Sequence, residues 1–398
     1  MRILFLAQRV PYPPNRGDKI TTWRLLERMR RSHDVRVIAF AHDDADRVAA
    51  AHLNSIGIPT QAFNHDARKA KLRSLPLLFG TRALTLGVFG SRALQAAVDA
   101  SAGWADLAYA YSSSMGAFLE KHVSLARVMH FAELDSDKWA QYAQRSSLPM
   151  KWIYAREQRT LLAFETRVAR SFSENVFCTP LEQQVFQSAI PGATSLVLRN
   201  GVDLVYYQPR PEKARAHELV FTGVMDYLPN IDACTFFVHE VLPGLRARFA
   251  DVHFTIVGSK PTPQVRALER QQGVEVTGFV DDTRDWLARA SISVAPLRIA
   301  RGIQNKVLEA LAMGLPVVGT RSATQGIEGA DGRDFIVADS AREQIAAIAQ
   351  LFDAPQEARE LGRRGRAFVE RQYDWERVLE PLDALLLRLV PRAKSPQR

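Results

Sequence analysis

Cysteine is scarce: Cys178 and Cys234 are the only two in 398 residues, too few for a disulfide framework or a thiolate zinc cluster. A reducing cytoplasm is then the simplest compartment. Nowhere do about 20 apolar residues run together, so no spanning helix is expected. The apolar run Ile3 to Ala7 is too short for a secretory leader, and Gln8, Arg9 and Pro11 follow it. Neither half of the chain opens with Gly-x-Gly-x-x-Gly, which argues against a nicotinamide enzyme. Zinc-finger spacing and aromatic-rich RNA-binding strands are missing too, so no nucleic-acid partner is expected. Acid is the minority charge, 43 residues against 52 Lys and Arg. The resulting net charge of +9 leaves an anionic membrane surface or an acidic small substrate as the partner classes, and the membrane fits better.

What is present is ample apolar residue, 47% of the chain, arranged as short apolar runs alternating with helical periodicity. Arg2 to Ala7 reads as a buried strand. A loop with three prolines and Gly17 follows, then a helix with Asp18 as its N-cap and Ile20, Trp23, Leu26 and Met29 on one face, then a strand from Val35 to Phe40. This is the opening of a doubly wound α/β sheet, in which ligands sit beyond the carboxyl ends of strands. The loop carrying Gly17 therefore reads as a ligand-side wall. Asp106 to Tyr111 and Ala126 to Phe131 are further strands. The polar residues at the end of the latter, His130 and Asp135 among them, are placed on the ligand side. One of them could orient an acceptor hydroxyl or assist its deprotonation; Asp135 and Ser136 also suit a helix cap.

The pattern restarts at Glu218 to Gly223, so two Rossmann-like domains are expected: residues 1–203, residues 204–374, and a terminal segment 375–398. The last segment holds an amphipathic helix from Trp375 to Leu389.

The most informative stretch runs from Arg301 to Thr320. Ile303, Val307, Leu308, Leu311 and Ala312 make a helical apolar face, Gly314 ends it, Pro316 prevents its continuation, and a short buried strand follows. Free N–H groups at the start of such a helix favour an anion. Arg301 and Lys306 bring two cations to the same end. Glu309, one turn deeper, can accept hydrogen bonds from a sugar diol. A phosphate clamp beside a diol acceptor suits a nucleotide-sugar; the competing reading is an ordinary amphipathic helix with solvated charges.

Lys306-Val-Leu-Glu-Ala-Leu-Ala-Met-Gly-Leu-Pro-Val-Val318 resembles the donor-site signature of retaining GT-B glycosyltransferases of family four, closest to the sugar transferases of exosortase and exopolysaccharide loci. The resemblance runs from Arg2 to about Pro391. It implies two domains facing a central cleft, with the terminal helix crossing back to the first domain. It implies transfer, with retention and without a metal cofactor, from a nucleoside-diphosphate sugar to a hydroxyl of a glycan, lipid-linked in similar enzymes. Glu309 matches the ribose-holding second Glu of the family's Glu-x7-Glu motif. The first Glu is replaced by Arg301, and the Arg and Lys that many members carry after the glycine matched by Gly223 are replaced by a loop with Asp226, Tyr227 and Asn230. Arg301 and Lys306 are therefore expected to neutralise the pyrophosphate. The resemblance also places Gly17, Gly223, Gly258, Phe279, Val280, Gly302 and Ile303 around the donor, and marks Asn200-Gly-Val-Asp203 as the interdomain junction. Two alternatives stay open: a GT-B nucleotide-sugar epimerase, which would turn over donor alone, and a non-catalytic nucleotide-sugar-binding subunit.

Finally, His65 to Arg82 is strongly basic and then apolar. It reads either as a segment lying on an anionic lipid surface, making the protein peripheral at the inner face of a membrane, or as a surface helix whose apolar side enters the core.

Overall fold

The computed structural model describes residues 1–144, 146–300 and 302–390. Among these, the chain forms two parallel sheets with helices as crossovers. Contacts divide it into two compact units, one of Met1–Leu198 with the chain from Leu379 onward, the other Arg199–Val378.

In the first unit the strands are β1 (Arg2–Ala7), β2 (Asp34–Ala41), β3 (Thr60–Asn64), β4 (Leu107–Tyr111), β5 (Ala126–Ala132), β6 (Glu174–Phe177) and β7 (Leu196–Val197), in spatial order β3-β2-β1-β4-β5-β6-β7. In the second they are β8 (Glu218–Thr222), β9 (His253–Val257), β10 (Val274–Gly278), β11 (Ile292–Ala295), β12 (Val317–Gly319) and β13 (Ile336–Val337), in order β10-β9-β8-β11-β12-β13. Every pairing is parallel. Parallel strands covered on both faces read as continuous apolar runs, and Ile3, Leu4, Phe5, Leu6 and Ala7 are accordingly fully buried. The strand order reverses between β1 and β4 and again between β8 and β11. Such reversals leave a crevice beyond the carboxyl ends of the flanking strands.

The chain passes from one unit to the other twice, after Leu198 and after Val378. Within the second unit, Gly201 packs against the Trp375 indole, Val202 N donates to the Tyr373 carbonyl at 2.7 Å, and Val202 bridges Asp374. The terminal segment forms two helices, Trp375–Val378 and Glu380–Leu389, where one was expected. Pro381 lacks an N–H and so opens a new helix. The second helix belongs to the first unit, held by Arg28 to Asp383 at 2.6 Å and by Arg388 to Glu174. Asp18 is not an N-cap: the helix Gly17–Arg30 starts one residue earlier, and the Asp18 carboxylate takes Arg16 at 2.6 Å and Arg9 at 3.5 Å. No helix among the described residues is long and apolar enough to cross a membrane.

Candidate functional site

The second unit gathers most of the expected donor residues at its switch point. β8 ends into Gly223, and β9 ends into Gly258. Gly258 has φ of +154°, and a Cβ there would collide with the Gly223 carbonyl, so the two backbones touch. On the other side of the switch point, the chain after β11 reaches Gly302 and Ile303 and enters the helix Asn305–Ala312. That helix starts with Gln304, whose side chain makes no capping bond to the first-turn amides, and it buries Val307, Leu308 and Leu311.

Lys306 reaches back from this helix to β8. Its ammonium lies 4.0 Å from the centre of the Phe221 ring and donates to Asn230 Oδ1 at 2.6 Å. Asn230 is buried, fixed by its own Nδ2 donating to the Val224 carbonyl at 2.9 Å. A Cβ on Gly223 would sit 3.1 Å from the Lys306 nitrogen, so the glycine keeps open the space beside the cation. No carboxylate pairs with Lys306 among the described residues. Burial pushes its pKa down to about 8, because the apolar surroundings disfavour the charged form.

Glu309 lies one turn along the helix. Burial raises its carboxyl to about 6, against the opposing pull of a hydrogen bond from Tyr207 and the charge of Lys306. Tyr207 is itself anchored by a hydrogen bond to Thr283. Cation, carboxylate and tyrosine thus act on one another electrostatically around the switch point. Arg301 lies outside the described residues. Of the remaining expected residues, Ile303 is buried, Val280 is half-buried and packs on the core, and the Phe279 ring is 74% exposed.

Tyr207 and Asn230 are the residues that sequence reasoning missed as members of this site. Tyr207 lies four residues past the expected junction and meets Glu309 only through the fold. Asn230 stands in the first turn of the helix Leu228–Phe236, within the stretch expected as a loop where the cations were noted as missing, and that absence was the available signal.

The first unit's switch point is lined differently. A small cavity beyond β1 and β4 is bounded by Gln8, Arg9, Asp18, Thr22, Tyr111 and Ser112. Gly17 opens the adjoining helix. Ser112 and Ala132, at the ends of β4 and β5, both have positive φ, 79° and 64°, a strained conformation for non-glycine residues that clusters at functional sites. Asp135 starts the helix Asp135–Gln144 and accepts a short hydrogen bond from Ser113 Oγ.

His130 is not at the mouth of the site. It lies within β5, fully buried, with Nδ1 sharing a 2.7 Å hydrogen bond with the Tyr109 hydroxyl. Burial lowers its pKa to about 3, so the ring is neutral. β5 is covered on both faces, so His130 is buried along with Val128, Met129 and Phe131 beside it.

The chain's relatives share this architecture. Residues 216–354 match the family model described as Glycosyl transferases group 1. Over 197 residues the chain is 32% identical to a phosphatidyl-myo-inositol mannosyltransferase of Propionibacterium freudenreichii subsp. shermanii, covering 46% of this chain and 48% of that protein. The chain thus spans about half the length of the curated relative it matches. Among solved structures, a sucrose-phosphate synthase from Thermosynechococcus elongatus superposes with a TM-score of 0.73 at 15% identity, covering 98% of this chain and 100% of that one. Anabaena HepE in complex with UDP-glucose gives a TM-score of 0.72 at 18% identity, with the same coverage. Likeness at such identity speaks to the fold. The family match and the fold agree: residues 216–354 resemble a group 1 glycosyl transferase domain, and the chain as a whole has the GT-B fold of the solved structures it superposes on.

Proposed function

We propose that the protein is a glycosyltransferase whose second unit binds a nucleoside-diphosphate sugar and whose first unit supplies the acceptor-side groups. One observation carries the reading. At the switch point of the second sheet, a half-buried lysine donates to a neutral amide oxygen beside an aromatic face, pairs with no carboxylate among the described residues, and stands one turn before Glu309 at the start of a helix. A cation desolvated without a counter-ion is costly unless a ligand provides the anion. A pyrophosphate would take Lys306 and the free amides of the helix start, with Arg301 as a second cation. A ribose diol would take Glu309. As the sugar leaves, negative charge grows on the phosphate oxygens, and the same fixed cation and dipoles stabilise it in the transition state.

The reaction retains anomeric configuration and needs no metal, since side chains and helix dipole neutralise the leaving group. The acceptor is the hydroxyl of a lipid-linked glycan in cell-surface or exopolysaccharide assembly, and the protein works in the cytoplasm against the membrane's inner face. The mannosyltransferase relative, named for a phosphatidylinositol acceptor, supports the lipid-linked acceptor. HepE, solved with UDP and glucose, supports the donor class.

Calorimetric titration with UDP, GDP and ADP and their common sugars tests the donor half. One nucleotide class should bind, and turnover with acceptor should survive EDTA. Turnover of donor alone to an epimer, or binding without hydrolysis or transfer, would overturn the reading in favour of an epimerase or a binding subunit. Binding of none would remove the site.

A further inference from the structure

The basic segment after β3 does not bury its apolar side. Asp66 caps the helix Ala67–Ser74 by accepting from the Arg68 and Lys69 amides, and that helix buries only the small Ala70 and Ser74. Leu72 is 67% exposed, Leu75 in the next turn 51%, and Phe79 91%. Leu72 lies in the last turn of the α-helix, and Leu75 and Phe79 open and end the 3-10 turn Leu75–Phe79 that continues it, so exposed apolar side chains recur along the segment. Between residues 66 and 82 stand five cations, Arg68, Lys69, Lys71, Arg73 and Arg82, against the single acid Asp66. Arg68 and Lys71 have no carboxylate partner among the described residues.

This exposure is built in. The buried guanidinium of Arg156 donates to the carbonyls of Leu77, Gly80 at 2.6 Å and Arg82 at 3.0 Å, so a single side chain fixes the turn that presents Phe79. Next to it, Glu157 accepts from Leu84 N at 2.7 Å and Thr85 N at 2.8 Å, capping the following helix. Trp152, one turn before Arg156 on the helix Met150–Ser171, is 53% exposed as well.

From this juxtaposition we infer that residues 68–82 are a docking surface for an anionic lipid bilayer, with Leu72, Leu75 and Phe79 entering the headgroup boundary and the surrounding cations meeting lipid phosphates. The charge chooses the occupant. An apolar patch meant for a protein partner tends to be depleted of lysine at its centre, whereas apolar residues ringed by Lys and Arg match the interface of a negatively charged leaflet. The surface gives a place to the membrane face already proposed for this enzyme and rests on that reading for its purpose, but not on the chemistry of transfer.

The test is flotation of the full chain with extruded vesicles of equal parts phosphatidylglycerol and phosphatidylcholine, beside vesicles of phosphatidylcholine alone. The wild type should float with the first and not the second, and should detach as salt rises. Phe79→Ser should weaken binding at least about tenfold. Arg68→Glu with Lys71→Glu should weaken it more, at roughly fivefold for each cation lost before the added repulsion. Sedimentation and nucleotide titration of each variant check that it remains folded. Equal binding to neutral vesicles, variants that float like the wild type, or a wild-type dimer that Phe79→Ser turns into a monomer would each overturn the assignment. If vesicles bind but no nucleotide does, the surface stands and the transferase reading falls.

Discussion

The two sheets put their first strand in the same place, β1 between β2 and β4, β8 between β9 and β11, yet the chain fills the two switch points with opposite chemistry. At the first, charges are paired. Arg9 and Arg16 share Asp18, and buried Lys19 holds buried Asp46 at 2.6 Å. At the second, two glycines strip side chains from the strand ends, and Lys306 pairs with no carboxylate among the described residues. A buried lysine with its carboxylate is architecture. A desolvated lysine without one is what the proposed anion site requires.

The largest expected effect comes from setting these two lysines against each other. Lys306→Met should weaken nucleotide-sugar binding by roughly 10- to 150-fold, the range for a charged hydrogen bond, while leaving the melting temperature unchanged or raised, because a costly desolvation is relieved. Lys19→Met should do the reverse. It strands the Asp46 carboxylate and should cost about 3–5 kcal/mol of stability, with nucleotide binding to the surviving folded protein intact. Calorimetric titration and thermal melts on both variants decide it. A melting temperature that falls equally in both would erase the distinction.

A second prediction uses pH. The proposed donor site needs Glu309 ionised, to accept the diol, and Lys306 protonated, to hold phosphate. Burial raises the first to about 6 and lowers the second to about 8. Affinity should therefore fall as pH drops through about 6, where Glu309 gains a proton, and fall again as pH rises through about 8, where Lys306 loses one. The two groups are neighbours, so the limbs belong to the pair. A nucleotide-sugar is the right probe, because its pyrophosphate diester has no titration in that window. A flat profile between pH 5 and 9 would sink the pairing. The stability linkage has its own sign. Glu309, with a raised folded pKa, adds stability below its unfolded value of about 4.5 that is lost as pH rises through about 6. Lys306, with a depressed one, adds stability as pH rises from about 8 to 10.5.

The same contrast explains what could be read before folding. Both sheets were legible from apolar runs alternating with helical periodicity, and the donor helix from Val307, Leu308, Leu311 and the Gly314 stop. What stayed hidden depends on contacts distant in the chain. Tyr207 and Glu309 are joined only when the second sheet closes. His130 was assigned by its nearness to a strand end, but β5 runs on to Ala132 and is covered on both faces, so every side chain from Val128 to Phe131 lies in the core. For the segment 65–82, composition showed a basic run and then an apolar one without saying which way the apolar side turned. Small Ala70 and Ser74 took the inward side, so the leucines and Phe79 went out.

The smallest effect asked of the comparison concerns Tyr207. Its hydroxyl donates to Glu309 and lowers that carboxyl's pKa, so it favours the ionised form that a diol needs. Tyr207→Phe keeps the ring packed and removes only the donor. Donor affinity at pH 8 should fall a few-fold at most, since Glu309 is ionised there with or without help. At pH 6 the loss should be larger, because the acid limb of the profile moves to higher pH. A residue that merely fills space would move neither limb. If Tyr207→Phe lowers affinity by the same factor at both pH values, the hydroxyl is shaping the pocket and not holding the charge of Glu309. The second switch point would then rest on its lysine alone.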